Sequence, residues 1–107
     1  MPTSLARSFT LEELTFSQTA ARQGIANVPN DIQIASLERL CDNVLQPLRD
    51  VLGLPVVISS GFRCPALNRL VSGAADSQHL LGEATDFICP AMSTDELFKR
   101  VLALAGR

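Results

Sequence analysis

Tryptophan and tyrosine are absent from this 107-residue chain, and histidine occurs once. All five aromatic residues are phenylalanine, so a platform for stacking bases or sugar rings is thin. Charged residues make up only 19% of the chain, and the net charge is −2 with no Lys/Arg cluster longer than a pair. That balance gives no reason to expect nucleic acid as a partner. No uninterrupted apolar run approaches the roughly 20 residues needed to cross a bilayer, so no membrane partner is expected. The first residues lack the apolar stretch of a secretory signal. Cytoplasmic synthesis is therefore the expectation, with any exposure to the cell wall depending on release by other means. The three cysteines, Cys41, Cys64 and Cys89, form no Cys-x-x-Cys pair. They read as reduced thiols, at least one of them core filler, with a Cys64–Cys89 bridge left open for an oxidising setting.

What is present is enough for one domain, residues 1–107, with 47% hydrophobic residues. A chain of this length buries about two-thirds of the surface it exposes when unfolded. Thr10 precedes Leu11-Glu12-Glu13-Leu14, so Thr10 and Glu13 predict a capping box and a short helix. Residues 17–23 predict one or two further turns, stopped at Gly24. Asn30 predicts the N-cap of the longest helix. There Ile34, Leu37, Leu40, Cys41, Val44, Leu45, Leu48 and Leu52 recur at three- and four-residue steps. Pro47 is expected to kink that helix or end its first segment, and Gly53 to stop it. Residues 56–60 are β-branched and predict a strand. A long connection follows, with a short helix over residues 65–71 and a turn at Ser72-Gly73. Residues 84–89 predict a second strand, ended by Pro90. Ser93-Thr94-Asp95-Glu96 reads as another capping box, opening a helix with Leu97, Val101, Leu102 and Leu104 on its apolar side. Two strands make a poor sheet alone. A third strand, another chain or a further segment is therefore expected.

The stretch Ser77-Gln78-His79-Leu80-Leu81-Gly82-Glu83-Ala84-Thr85-Asp86 holds the single imidazole and a carboxylate seven residues on. A fold-back at Gly82, where glycine permits positive φ, would let both converge on one divalent cation. Zinc takes His nitrogen and Asp oxygen at about 2 Å. Asp86 lies on a short, mostly apolar strand, where an unpaired charge is costly. The bland alternative has Asp86 capping a turn or pairing with Arg63, and His79 as a surface or satisfied core residue.

The pattern Ser-x-His-x-x-Gly-x-Ala-x-Asp over residues 77–86 resembles the zinc-binding signature of the D-Ala-D-Ala carboxypeptidase and D,D-dipeptidase family, whose fold is shared with the amino-terminal domain of Hedgehog proteins. Ser59-Ser60-Gly61-Phe62-Arg63-Cys64-Pro65 with Asn68 is similar to a second segment of that family. The residues 9–14 and Leu45-Gln46-Pro47-Leu48-Arg49 resemble its small phage-type branch. The resemblance implies an α+β fold in which a small antiparallel sheet is packed by helices. It implies Zn2+ held by His79 and Asp86, and Arg63 stabilising negative charge on the substrate and in the reaction. Guanidinium suits that role as a fixed, always-charged fork. Ser77 matches a position near the substrate's polar end, or simply caps the turn carrying His79. Asn68 is expected to hold its loop in shape.

Family members continue into further strands that carry a general-base Glu and a third zinc ligand, a His. No His follows Asp86 here. The resemblance thus implies a domain lacking the C-terminal strands, with weakened zinc affinity. Loss of the base would cost a further factor of roughly 100 to 10,000 in rate. The leading expectation is a zinc-dependent peptidase acting on peptidoglycan peptides, phage- or prophage-derived, with or without activity in this form. The alternative is a non-catalytic module that binds cell-wall peptide or a phage component. A third is an inactive fragment that associates with another chain supplying the absent strands.

Overall fold

A computed structural model describes the backbone of residues 3–105 and the side chains of residues 3–100. The chain opens with a hairpin, β1 (Ser4–Ala6) and β2 (Phe9–Thr10), paired antiparallel. Helix α1 (Leu11–Thr15) follows at once. Thr10 caps it, and the expected reciprocal bond from Glu13 is present. Helix α2 (Gln18–Gln23) is capped by Ser17 and closed by Gly24 in the left-handed conformation.

The long amphipathic segment is helical throughout, but in three parts. Helix α3 (Asp31–Leu40) starts at Asn30, whose side chain and that of Gln33 form a second capping box. A π-type turn spans Cys41–Leu45, and helix α4 (Gln46–Leu52) runs to the left-handed Gly53. Pro47 explains the interruption. It has no N–H to give and its ring crowds the carbonyl four residues back. The preceding Gln46 N–H reaches five residues back to Cys41 O instead, which widens one turn and lets the helix continue past the proline. The apolar face stays in register, and Leu37, Cys41, Leu45, Leu48 and Leu52 are all buried.

Strand β3 (Val57–Ser60) pairs antiparallel with β4 (Asp86–Ile88). The register runs Val57 to Ile88, Ile58 to Phe87 and Ser60 to Asp86, with a shift between Ile58 and Ser60. β4 is shorter than the predicted 84–89; at its start Thr85 Oγ1 donates to Ser60 O at 3.0 Å. Between the strands lie α5 (Pro65–Leu70) and a 3₁₀ turn (Gln78–Leu81). Helix α6 (Thr94–Ala105) follows β4. Its start has Ser93 Oγ accepting from Glu96 N–H, while the Glu96 carboxylate pairs with Arg100. Leu97 is buried. The side chains of Val101, Leu102 and Leu104 lie outside the described residues.

The α+β class is therefore the observed one, in two small antiparallel sheets rather than one. The extra strand pair does not extend β3–β4 but forms its own hairpin. That hairpin is held by Gln46, which accepts from Ser8 N–H and donates to Ser8 Oγ. The core gathers Phe9 from β2, Leu14 from α1, Leu37 from α3, Cys41 and Leu45 from the π-type turn, Leu48 and Leu52 from α4, and Phe62 just past β3. Each such side chain, fully buried, contributes roughly 1.5–3 kcal/mol. The backbone joins the two halves where Phe62 N–H donates to Leu14 O at 2.7 Å. All three cysteines are free thiols. Among the described residues no helix is long and apolar enough to cross a membrane.

Candidate metal centre and its arginine

The end of β3 and the 3₁₀ turn build the site between them. Ser77 Oγ accepts from His79 N–H at 3.2 Å and starts the turn. Gly82 ends it at φ +74, and a side chain there would run into Gln33 O. From α3, Gln33 Nε2 donates to Leu80 O at 3.1 Å. The turn that carries the imidazole is thus tied to the first turn of α3.

His79 Nδ1 lies 2.7 Å from Gly61 O. A carbonyl can only accept, so Nδ1 carries the proton, and Nε2 is the nitrogen turned toward Asp86. Nε2 stands 3.5 Å from Asp86 Oδ2. The imidazole is enclosed, with 10% of its side chain exposed, whereas the carboxylate is 65% exposed and reaches solvent. A bare imidazole nitrogen and a carboxylate oxygen facing each other repel unless positive charge lies between them. Either a proton on Nε2 or a cation supplies it.

Two ligands of a tetrahedral zinc, each at about 2.0–2.1 Å, stand roughly 3.4 Å apart. The observed separation matches that spacing. An imidazole whose other nitrogen donates to a backbone carbonyl is the arrangement that fixes metal-binding histidines. The pair fits two corners of a zinc site. Among the described residues no group of three His, Cys, Asp or Glu side chains comes together, so the third corner is not found there.

Arg63 follows two residues after the carbonyl that holds His79. Its own N–H donates to His79 O at 3.1 Å. Its Nη1 donates to Asn68 Oδ1 at 3.1 Å, and its Nε is buried with no partner among the described residues. Asp86 pairs with His79, and no Arg63–Asp86 ion pair forms among the described residues. Arg63 lines a cleft of about 470 Å³, together with Phe16, Ser17, Thr19, Ser60 and Val71. His79, Asp86 and Ser77 do not line it, although Ser60 is the cross-strand partner of Asp86. Asn68 is buried and holds its loop, as expected, but it also holds the arginine.

One contributor is not visible in the sequence. Asn27 Nδ2 donates to Phe62 O at 2.9 Å and to Thr15 O at 2.8 Å, while its Oδ1 accepts from Cys64 N–H at 2.8 Å. A single side chain thereby brackets Arg63 on both sides of the backbone. Asn27 sits in a loop with no periodicity, and its partners lie 35 and 37 residues away, so no local signal marks it.

The family sequence profile described as Peptidase M15 matches residues 7–105. The chain belongs to the peptidase M15 family. No curated protein and no solved structure gives a significant match. M15 proteins are hydrolases of the metallopeptidase type, zinc-dependent as a rule, and the family includes the D-Ala-D-Ala carboxypeptidases. The α+β architecture is the one this M15 domain shares with them. Its described residues bring together an imidazole and a carboxylate, with the Arg63 guanidinium in the neighbouring cleft and no third ligand group.

Proposed function

We propose that this chain supplies His79, Asp86 and Arg63 to a zinc-dependent peptidase acting on peptidoglycan peptides of the D-Ala-D-Ala type. The observation that supports it is the His79–Asp86 pair, with one nitrogen locked by Gly61 O and the other 3.5 Å from the carboxylate. Zinc, when bound there, supplies Lewis acidity toward a peptide carbonyl. The protein's own residues hold and orient. Gly61 O keeps the Nδ1 proton in place and so keeps Nε2 available. Arg63, its charge not offset by Asp86, offers N–H donors to the negative oxygens of the peptide. The Ser77 hydroxyl, already an acceptor for His79 N–H, retains its own proton to offer the substrate's polar end.

A second reading is favoured by the lack of a third ligand group among the described residues. In it the domain binds cell-wall peptide, or a phage component, without cutting it. Metal analysis, peptide titration and hydrolysis of a D-Ala-D-Ala-ending peptide separate the two. The peptidase reading expects one zinc per chain and turnover, with zinc affinity down at least about tenfold in Asp86→Ala. Zinc and peptide binding without turnover would select the binding module. A folded sample that takes up no zinc would remove the peptidase reading for this chain, and one that binds no peptide would remove the binding module.

A further inference from the structure

We infer that Asn68 is a positioning residue for Arg63, holding the guanidinium where its Nη groups meet the negative charge of the peptide. The inference rests on the proposed role of Arg63 and goes beyond it. Asn68 is 3% exposed, and every polar atom of its side chain is used. Nδ2 donates to Ala74 O at 2.9 Å, and Oδ1 accepts from Arg63 Nη1 at 3.1 Å. The amide has only one orientation that satisfies both, because a carbonyl only accepts and a guanidinium only donates. The loop closes around this contact. Gly73 N–H donates to Asn68 O at 2.8 Å. A side chain at Gly73 would occupy the space of Asn68 Oδ1 and Arg63 Nη1.

Nη1 carries two N–H groups, so the bond to Asn68 pins the guanidinium while Nη1 and Nη2 keep donors for an anion; among the described residues nothing hydrogen-bonds Nη2. Nε is buried, with no partner among the described residues, so the Nη groups are the ones a ligand can reach. The choice of asparagine over aspartate has a physical reason as well. A neutral amide orients the guanidinium without neutralising it, so the full charge is kept for the peptide.

The test is a double-mutant cycle on the full chain with zinc present. Binding of an acetylated peptide ending in D-Ala-D-Ala, and of its C-terminal amide, is titrated by calorimetry. Asn68→Ala is expected to weaken the acid peptide about tenfold while leaving zinc affinity within about twofold. In an Arg63→Ala background the same substitution should change peptide affinity less than about twofold, since its effect passes through the arginine. An equal loss in both backgrounds, or a parallel loss of zinc affinity, would overturn the inference. A second readout does not depend on peptide binding. The Arg63 Nε–Hε signal in a ¹H–¹⁵N spectrum should stand apart from that of free arginine and move to the free position in Asn68→Ala. A signal that stays where it was also overturns the inference. If the wild-type chain binds no peptide while the signal moves as stated, the role of Asn68 stands and the proposed substrate falls. Should Asn68→Ala fail to fold, Asn68→Asp carries the cycle. It should weaken the acid peptide about tenfold and the amide much less, by placing a competing carboxylate on Arg63; equal losses for both peptides would overturn the inference.

Discussion

Cys41 shows how strongly a single position can report its surroundings. It is fully buried at the start of the π-type turn. Burial, with smaller contributions from the charges of Asp42, Glu13 and Glu38, pushes its thiol from an ordinary value of 9.0 up to about 12. The neutral thiol is the form the folded state favours. Its contribution to stability is complete below about pH 9 and is lost as the pH rises toward 12, where the unfolded chain ionises first. Denaturant unfolding across that range should show stability falling with pH. The fall should be shallower in Cys41→Ala, and equal slopes would mean that the thiol is not the group responsible. Among site residues, Ser77, His79 and Asp86 stood out in the sequence because a ten-residue pattern of fixed types contains them, and Arg63 because the segment over residues 59–65 does. Asn27 did not, because what singles it out is three partners far away in the chain.

At the scale of elements, the start of α3 does two jobs. Gln33 closes the capping box with Asn30 through Oε1, and its Nε2 reaches Leu80 O in the turn that carries His79. Gln33→Ala removes both, so a loss of roughly 1–2 kcal/mol in unfolding free energy is expected. A several-fold loss in zinc affinity should accompany it, because the imidazole turn loses its brace. Calorimetric zinc titration beside denaturant unfolding checks this, and unchanged zinc affinity would show that the brace does not reach the site. The caps at Thr10 and Asn30 were legible because each is written within four residues. The β1–β2 hairpin was not. Its link, Arg7-Ser8, has none of the Asn-Gly or Asp-Gly chemistry that signals a tight turn. Gln46, 38 residues on, holds it. An ion pair between Arg7 and Asp50 adds little, since both side chains are well exposed.

For the molecule as a whole, one small core serves both sheets. Leu37 and Leu45 are fully buried within it. Leu37→Ala should cost about 3 kcal/mol, a large share of the roughly 5–15 kcal/mol that holds a domain folded. Thermal unfolding should drop by roughly 10–20 °C; a drop of only a degree or two would mean that the core closes over the gap. The apolar period of the long helix made this core legible, because the π-type turn keeps Leu37, Cys41, Leu45 and Leu48 facing inward. The two-sheet arrangement was not legible, since strands of two to four residues carry almost no pattern of their own. Val57 and Ile88, partners across β3 and β4, face solvent at 44% and 49% exposure, while Ile58 and Phe87 pack against the core; with apolar residues on both faces, no polar–apolar alternation marks the inward one.

His79 is clasped twice by the end of β3, its ring against the carbonyl of residue 61 and its own carbonyl against the amide of residue 63. Anything that grips the imidazole therefore also steadies that strand end. The deuterium clock of the Arg63 amide becomes a gauge of occupancy: it slows as the ring is held, whether or not any bond is ever cut.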